Sequence, residues 1–568
     1  MANNRRRVSF LQTATTRLLV VGWDGAEPAL VEEMLEAGEL PNLSRLARIG
    51  TYGRVLSTVP ASSLPAWTSA LTGLRPARHG VVDFLRRDRR SYRLRLYGAR
   101  DRAGPTVLAL ATRAGLRAAS LGIPGTQPAE RDVLTIPGFD TPISASGLRF
   151  CSPRWFADWL RGRHLNWPRV EDEIWQGPGW HRRVARQLPI NIEKKTKIVE
   201  KILQAHPVDL AWVVFNEFDT AAHHFWAFRD HSSPRTRGIR RGNHGDRPGV
   251  GDVPRQVLRS LDQGLGRLLR LVDQRHARVV VVSDHGFGSN HDRVVYINRF
   301  LEQTGWLRFS KGAGRATRAL ASMAEGAARL VPARKRSWMM ENIPERVALE
   351  LESARRLGGI DWKNSAAFSD ELPQYPGIWL NLAGRERQGT VLPETAARLL
   401  RKLLEQLLDL RDERGRAVVA RAWLRQDLGP GAYLDRFPDL LLELARPGGH
   451  RLLADVSDGP GPWIRRLEDA ECIGSKGIGT SGSHLAEGIL LAAGAGVKAG
   501  ALAGARLWDL APSMLAMLDL EVPAGLDGRV LPELAPTARH GGMLLSSDLA
   551  GRQRHGGLLR ALRNLGYL

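Results

Sequence analysis

Acidic and imidazole residues stand at the ends of apolar runs at several points along this 568-residue chain. Asp24 follows Leu18–Trp23, and Asp219 and His223 follow Leu210–Phe215. The last two are four residues apart, so one helical turn puts both on one face. Asp284 and His285 end the Arg278–Ser283 run, and Gly286 lets the chain turn away. His484 sits in Gly482-Ser483-His484, just before an apolar run from Gly488. Singly, each has an ordinary explanation. An aspartate after a strand is a common turn former, Asp219/His223 fits a solvated helix pair, and His484 is one of 15 histidines. Jointly they form the mixed nitrogen and carboxylate donor set that Zn²⁺ or Mn²⁺ prefers. A hydroxyl is offered by the segment from Pro60 to Gly73, a loop opening into a helix with Pro65 near its first turn. Ser63 there would meet the helix N-terminus, where free N–H groups and the dipole favour negative charge. The same place suits a plain N-cap by Ser62 or Ser63.

The elements that must position these residues alternate in type. Leu18–Trp23 is almost unbroken in apolar character, as a buried parallel strand requires. Further strands are predicted at Leu210–Phe215, Arg278–Ser283, Leu440–Leu444 and Gly488–Ala492. Helices are predicted at Glu27–Ala37, Pro41–Ile49, Val257–Val272, Glu394–Leu410 and Leu507–Leu518. Strands alternating with helices predict an α/β fold with a doubly wound, mostly parallel sheet. Sites in such sheets form beyond the carboxyl ends of the strands, which is where the donors fall.

The chain divides into a disordered basic tail (1–16), a catalytic domain (17–535) and a C-terminal tail (536–568) with a short helix at Gly557–Leu565. Within the domain, residues 86–205 are rich in Arg, Trp and Pro and are expected as an inserted cap over one end of the sheet. This insertion, with Trp155, Trp159, Trp167, Trp175 and Trp180, is expected to cover the site; tryptophans of this kind are more often core than stacking platform, and their spacing does not separate the two. Residues 232–254 read as a long mobile loop and 311–364 as an irregular segment.

Composition excludes several classes. No apolar run approaches the ~18 residues that span a bilayer, so no transmembrane segment is expected. The 82 basic residues outnumber the 59 acidic, a net charge of +23, yet only ten of the 82 are lysine. They are scattered, without an aromatic-interleaved stripe, which predicts attraction to anions but no specific nucleic-acid binding. Cys151 and Cys472 are too far apart in sequence for a disulfide framework or zinc finger. Arg6-Arg7-Val8-Ser9-Phe10-Leu11 evokes a twin-arginine signal, but Thr13–Arg17 stands where an apolar stretch should follow. A cytoplasmic protein is expected.

Six motifs in order resemble the alkaline phosphatase superfamily: Asp24-Gly25, Pro60-x-x-Ser63-x-Pro65, Thr72-Gly73-x-x-Pro76-x-x-His79-Gly80, Asp219-x-x-x-His223, Ser283-Asp284-His285-Gly286 and Gly482-x-His484. Within it, the chain is most similar to the type I phosphodiesterase/nucleotide pyrophosphatase branch and its bacterial phosphohydrolases, from about Leu18 to Leu531. The resemblance implies two divalent ions, Zn²⁺ or Mn²⁺. Asp24, Asp284, His285 and Ser63 would hold one, and Asp219, His223 and His484 the other. Ser63 would be the nucleophile and His79 a structural residue of its turn. Val82-Asp83-Phe84 stands where nucleotide pyrophosphatases carry a phosphate-binding asparagine, which disfavours nucleotide diesters.

The expected activity is hydrolysis of a phosphodiester or phosphomonoester, of a small-molecule, lipid or sugar phosphate, through a phosphoseryl intermediate on Ser63. Two other readings compete: a phosphotransferase or phosphomutase using the same site, and a non-catalytic basic anion-binding protein.

Overall fold

The computed structural model describes residues 16–141, 147–170, 173, 176, 179–241, 251–272, 276–310, 345–536 and 540–544. An eight-stranded sheet forms the centre. Its order is Gly500–Arg506, Thr51–Leu56, Glu487–Gly494, Arg278–Val282, Leu18–Trp23, Leu210–Phe215, Ala118–Ile123 and Val133–Pro137. All neighbours run parallel except Glu487–Gly494, which is antiparallel to both strands beside it. The predicted α/β class and mostly parallel sheet are therefore present.

Leu18–Trp23 is buried at every residue because helices cover both faces. Leu19, Val21 and Trp23 pack against helices Pro28–Glu36, Pro41–Ile49, Trp180–Ala205 and Val253–Leu268. Leu18 and Val20 pack against Ser63–Thr72, Val107–Arg113 and Leu510–Met517. With oil on both sides, the strand shows no polar alternation. Gly22 interrupts it for steric reasons: a Cβ there would lie 2.6 Å from the Trp67 ring and 2.8 Å from Val214.

Register sets the site. Trp23 pairs with Phe215 and Gly22 with Val282, so three parallel strands end level. The antiparallel strand pairs Leu490 with Val282 and begins at this same edge. Residues just after three strands and just before a fourth therefore meet.

The inserted cap region stands elsewhere than residues 86–205. That stretch supplies two strands of the central sheet, Ala118–Ile123 and Val133–Pro137, and the long helix Trp180–Ala205. The Ala118-Ala119-Ser120-Leu121-Gly122 sequence of the first is small-residued and carries little of the β-branched signal that marks a strand. The cap is formed instead between Arg278–Val282 and Glu487–Gly494. It holds a second sheet, ordered Ala367–Ser369, Gly377–Leu380, Leu440–Leu444, Val419–Leu424, with its own apolar core against helix Pro393–Leu408. The predicted strand at Leu440–Leu444 thus belongs to this sheet. The long strand Gly286–Val295 carries the chain out of the central sheet and pairs with Gly482–Leu485 on its return.

Parts of the stretches expected as a mobile loop and an irregular segment form regular helix, Thr236–Arg241 and Glu345–Leu357, while 242–250 and 311–344 lie outside the described residues. So do 1–15 of the N-terminal tail and the Gly557–Leu565 helix. His540–Leu544, placed in the C-terminal tail, pairs as a strand with Val522–Ala524. Among the described residues no helix is long and apolar enough to cross a membrane.

Candidate metal centre and active site

Ser63 is the first residue of helix Ser63–Thr72, and Ser62 occupies the N-cap position without a side-chain capping bond. The serine is therefore not spent on capping. Its Oγ lies 3.2 Å from His285 Nε2 and 3.4 Å from Asp24 Oδ1. His285 Nε2 is in turn 3.3 Å from Asp284 Oδ2 and 3.7 Å from Asp24 Oδ1. Asp284 Oδ1 accepts the Gly25 N–H at 3.1 Å and Asp24 Oδ2 the Trp67 indole N–H at 3.0 Å. One oxygen of each carboxylate is thus anchored and the other faces the cluster.

A second cluster adjoins it. His223 Nε2, His484 Nε2 and Asp219 Oδ1 lie within 3.5 Å of one another, the two nitrogens 3.1 Å apart. The His285 and His484 rings stack at 3.7 Å between centroids. All seven predicted residues, Asp24, Ser63, Asp219, His223, Asp284, His285 and His484, are buried and meet at one place.

These groups suit cations. His223 Nδ1 faces the Gly482 carbonyl at 3.0 Å, His285 Nδ1 that of Gly286 at 3.2 Å, and His484 Nδ1 that of Ala61 at 3.0 Å. A carbonyl only accepts, so each Nδ1 carries the proton and each Nε2 presents a lone pair inward. Burial holds the His223 and His285 imidazoles well below their usual range and hence neutral. Asp219 Oδ1 and Asp284 Oδ2 are buried without a hydrogen-bond donor. Facing lone pairs repel, and only positive charge between them relieves it. Two imidazole nitrogens on one tetrahedral ion at ~2.05 Å stand about 3.3 Å apart, close to the 3.1 Å seen here. Burial, then the Asp219 charge, pushes the Asp284 carboxyl up to about 8. Asp24 is likewise raised by burial and by Asp284. A cation is what lets both ionise at neutral pH.

Several neighbours go beyond the residues expected from the sequence. Trp67 lies one helical turn after Ser63, and that i,i+4 spacing was a usable signal for its contact beside the nucleophile. Lys476 Nζ lies 3.7 Å from Asp219 Oδ2 and 3.5 Å from Glu173 Oε2, and no pattern around Gly474-Ser475-Lys476-Gly477 marks it. His224, read as structural or supporting, bonds Glu173 at 2.9 Å, and Glu173 accepts from Thr220 at 3.1 Å. His291 pairs with Asp292 at 3.0 Å. His79 has the structural place expected: Nδ1 accepts the Val81 N–H and Nε2 donates to Ser69 Oγ at 2.9 Å. Burial lowers its pKa to about 3.

A cleft of about 1240 Å³, including its open mouth, leads away from His223, His484 and Lys476. Its walls come from the segment after His79 and from the cap sheet, with Phe84, Tyr375, Phe437 and Leu441 among them. Trp155, Trp159, Trp167 and Trp180 of the 86–205 stretch do not line it. Trp167 and Trp180 are buried in the core under helix Trp180–Ala205, and Trp155 is exposed. Trp175 lies outside the described residues. Apolar packing against that helix claims these rings before the site can.

Known proteins resemble the chain at two levels. The crystal structure of phosphonoacetate hydrolase from Sinorhizobium meliloti 1021 in complex with phosphonoformate is similar at 14% identity with a TM-score of 0.49, covering 89% of this chain and 95% of that one. Murine ectonucleotide pyrophosphatase/phosphodiesterase 5 is similar at 12% identity and a TM-score of 0.47, covering 89% and 96%. No curated protein sequence matches. The family model for type I phosphodiesterase/nucleotide pyrophosphatase matches residues 18–458, a span that holds six of the seven clustered donors, Ser63 included. The chain belongs to the type I phosphodiesterase/nucleotide pyrophosphatase family, and it is a metal-dependent phosphoester hydrolase.

Proposed function

We propose that the chain cleaves a phosphodiester or phosphomonoester with two divalent ions, Zn²⁺ or Mn²⁺, through a phosphoseryl intermediate on Ser63. The observation that carries this reading is the Ser63 hydroxyl, 3.2 Å from His285 Nε2 and 3.4 Å from Asp24 Oδ1 at the start of a helix. Asp24, Asp284, His285 and Ser63 would hold one ion and Asp219, His223 and His484 the other. When bound, the ions would acidify the hydroxyl and neutralise the non-bridging phosphate oxygens.

The chain's own groups do the rest. Ser63 Oγ gives up its proton to solvent and forms the new bond to phosphorus, while the ester oxygen leaves with its electron pair and takes a proton from water to become the alcohol. In the first turn of helix Ser63–Thr72, Pro65 has no N–H and that of Ala66 bonds the Ser62 carbonyl, which leaves the Ser63 and Leu64 N–H groups to meet the developing charge. Lys476 adds an ammonium at the inner end of the cleft, 3.7 Å from Asp219 Oδ2. Water then cleaves the phosphoserine and restores the hydroxyl. The fixed Nδ1–H tautomers keep three imidazoles from serving as competing proton donors at Nε2.

The test compares bis-p-nitrophenyl phosphate with p-nitrophenyl phosphate on metal-loaded wild type and Ser63→Ala. Turnover that needs metal, falls at least 10³-fold in the variant, and leaves ³²P-labelled Ser63 after acid quench is expected. Equal rates in wild type and variant would remove Ser63 from the chemistry.

A further inference from the structure

The cleft beside the ligand clusters has two unlike ends. At the inner end stand His223, His484 and Lys476. Beyond them the walls are hydrocarbon: Val82, Phe84, Leu94, Tyr375, Phe437 and Leu441. Each of the six is less than a tenth exposed, so these side chains form a built surface and not a loose patch. They come from two separate parts of the fold, the segment after His79 and the cap sheet.

Charged residues also border this outer part, and each already engages the protein through part of its side chain. Both Nη atoms of Arg87 bond Glu386, at 2.6 and 3.0 Å. Arg356 Nε bonds Glu352 at 2.6 Å, and its Nη1 bonds the Asp370 carbonyl at 3.0 Å. Arg436 Nη1 bonds the Gly80 and Asp101 carbonyls at 2.6 and 2.9 Å. Arg86 faces Asp101 at 3.3 Å. Each of the four guanidinium groups thus already holds at least one protein partner, and the fork formed by the two Nη atoms of Arg87 is filled by Glu386, while Arg86 Nε and Arg87 Nε hold none among the described residues. The acidic groups act the same way. Asp83 accepts the Phe84 N–H at 2.7 Å and Asp370 the Gly377 N–H at 2.8 Å.

We propose that the cleft receives an aliphatic chain, so that the substrate is a phosphoester of a long-chain alcohol or acyl-bearing alcohol and not a nucleotide or pyrophosphate. This rests on the phosphoesterase reading above for the chemistry, though the cleft itself stands without it. A hydrocarbon chain needs no hydrogen-bond partner, gains by leaving water, and fits walls that mix flat rings with branched aliphatics. The phosphate would lie at the inner end, where imidazoles and the Lys476 ammonium meet it, and the chain would run outward past Phe84 and Leu441.

Two measurements on the full-length, metal-loaded protein test this. The first is the affinity of butyl, hexyl and octyl phosphate for Ser63→Ala by calorimetry. The second is kcat/KM of wild type for methyl, butyl and octyl p-nitrophenyl phosphate beside thymidine 5′-p-nitrophenyl phosphate. Full burial predicts a gain of about fourfold per methylene in both. Phe84→Ala and Leu441→Ala, each checked for unchanged thermal unfolding, should flatten that slope. Affinity independent of chain length, or a thymidine ester turned over faster than the octyl ester, would overturn the proposal. If affinity climbs with chain length but no ester is cleaved, the cleft assignment holds and the phosphoesterase reading fails. Flat affinity with Ser63-dependent cleavage gives the reverse.

Discussion

Gly482→Ala tests whether the second ligand cluster depends on one close backbone approach. A Cβ at Gly482 would lie 2.4 Å from the Ala222 carbonyl oxygen and 3.1 Å from Trp226 Cβ. An ordinary carbon–oxygen contact is about 3.3 Å, so the Gly482–Leu485 strand must retreat from the helix by about 0.9 Å. The oxygen is backbone in the middle of helix Glu217–Arg229 and cannot swing aside. That helix carries Asp219 and His223, while the strand carries His484. The retreat would widen the 3.1 Å separation of His223 Nε2 and His484 Nε2 toward about 4 Å, beyond the ~3.3 Å span of two nitrogens on one tetrahedral ion. It would also stretch the bond from His223 Nδ1 to the Gly482 carbonyl. Overpacking of this size costs about 1–3 kcal/mol, and a 1 Å misplacement of reacting groups about 10²-fold in rate. The assay is metal content by elemental analysis, thermal unfolding, and turnover of a p-nitrophenyl ester. The expected result is a folded protein that retains the ion at Asp24, Asp284 and His285, loses the other, and turns over about 100-fold more slowly. Gly162→Ala is the control, since nothing lies within 4 Å of its Cβ position. Two tightly held ions and a wild-type rate in Gly482→Ala would refute the reasoning.

Other predictions follow from the same geometry. Stripping metal with a chelator should lower thermal stability, and restoring Zn²⁺ or Mn²⁺ at 100 times its Kd should return about 2.7 kcal/mol per site; a melting temperature indifferent to both treatments would count against the centre. Trp67→Phe keeps the ring but removes the N–H that Asp24 Oδ2 accepts at 3.0 Å, and denaturant titration should show a loss of about 1–3 kcal/mol. Burial pushes the Glu371 carboxyl up to about 7, above its ~4.5 in the unfolded chain. A raised folded-state pKa makes protonation stabilising, so this contribution is complete below about pH 4.5 and fades as pH rises through 7, by up to about 3 kcal/mol. Urea midpoints should therefore fall from pH 5 to pH 8 in wild type and fall less in Glu371→Gln.

Asp24, Asp284 and His285 could be read from sequence because each closely follows a strand of strong apolar character, and Asp219 and His223 because they share a face of the helix after another. Asp24 follows a run that is buried on both faces, and Asp284 ends Arg278–Val282, so position along the chain stood in for position in space. Lys476 and Glu173 offered no such proxy. They reach the second cluster from loops whose placement is decided by packing against Asp219 and Thr220, which no local pattern encodes. The cap was misplaced for a related reason. Arg- and Trp-rich sequence in 86–205 looked like an excursion, yet Trp167 and Trp180 are core residues under a helix that covers the sheet. The cap sheet at 367–444 was visible only as scattered short runs, since strands as brief as Ala367–Ser369 carry too few residues for a period to show.

The placement of Glu487–Gly494 bears on how the molecule is assembled during synthesis. This strand is not added at a margin; it fills the slot between Thr51–Leu56 and Arg278–Val282. Until it leaves the ribosome, the sheet is split, and two strands made long before expose unpaired N–H and C=O edges in the interior of the future domain. Synthesis at ~5–20 residues per second makes that exposure last roughly ten seconds or more after Arg278–Val282 is complete. A chain interrupted before residue 487 would be left with a cleft sheet and open edges, a form prone to pair with another like itself. Closing of this slot and arrival of His484 at the metal centre are therefore one event, and Gly500–Arg506 then completes the sheet at its edge beside Thr51–Leu56.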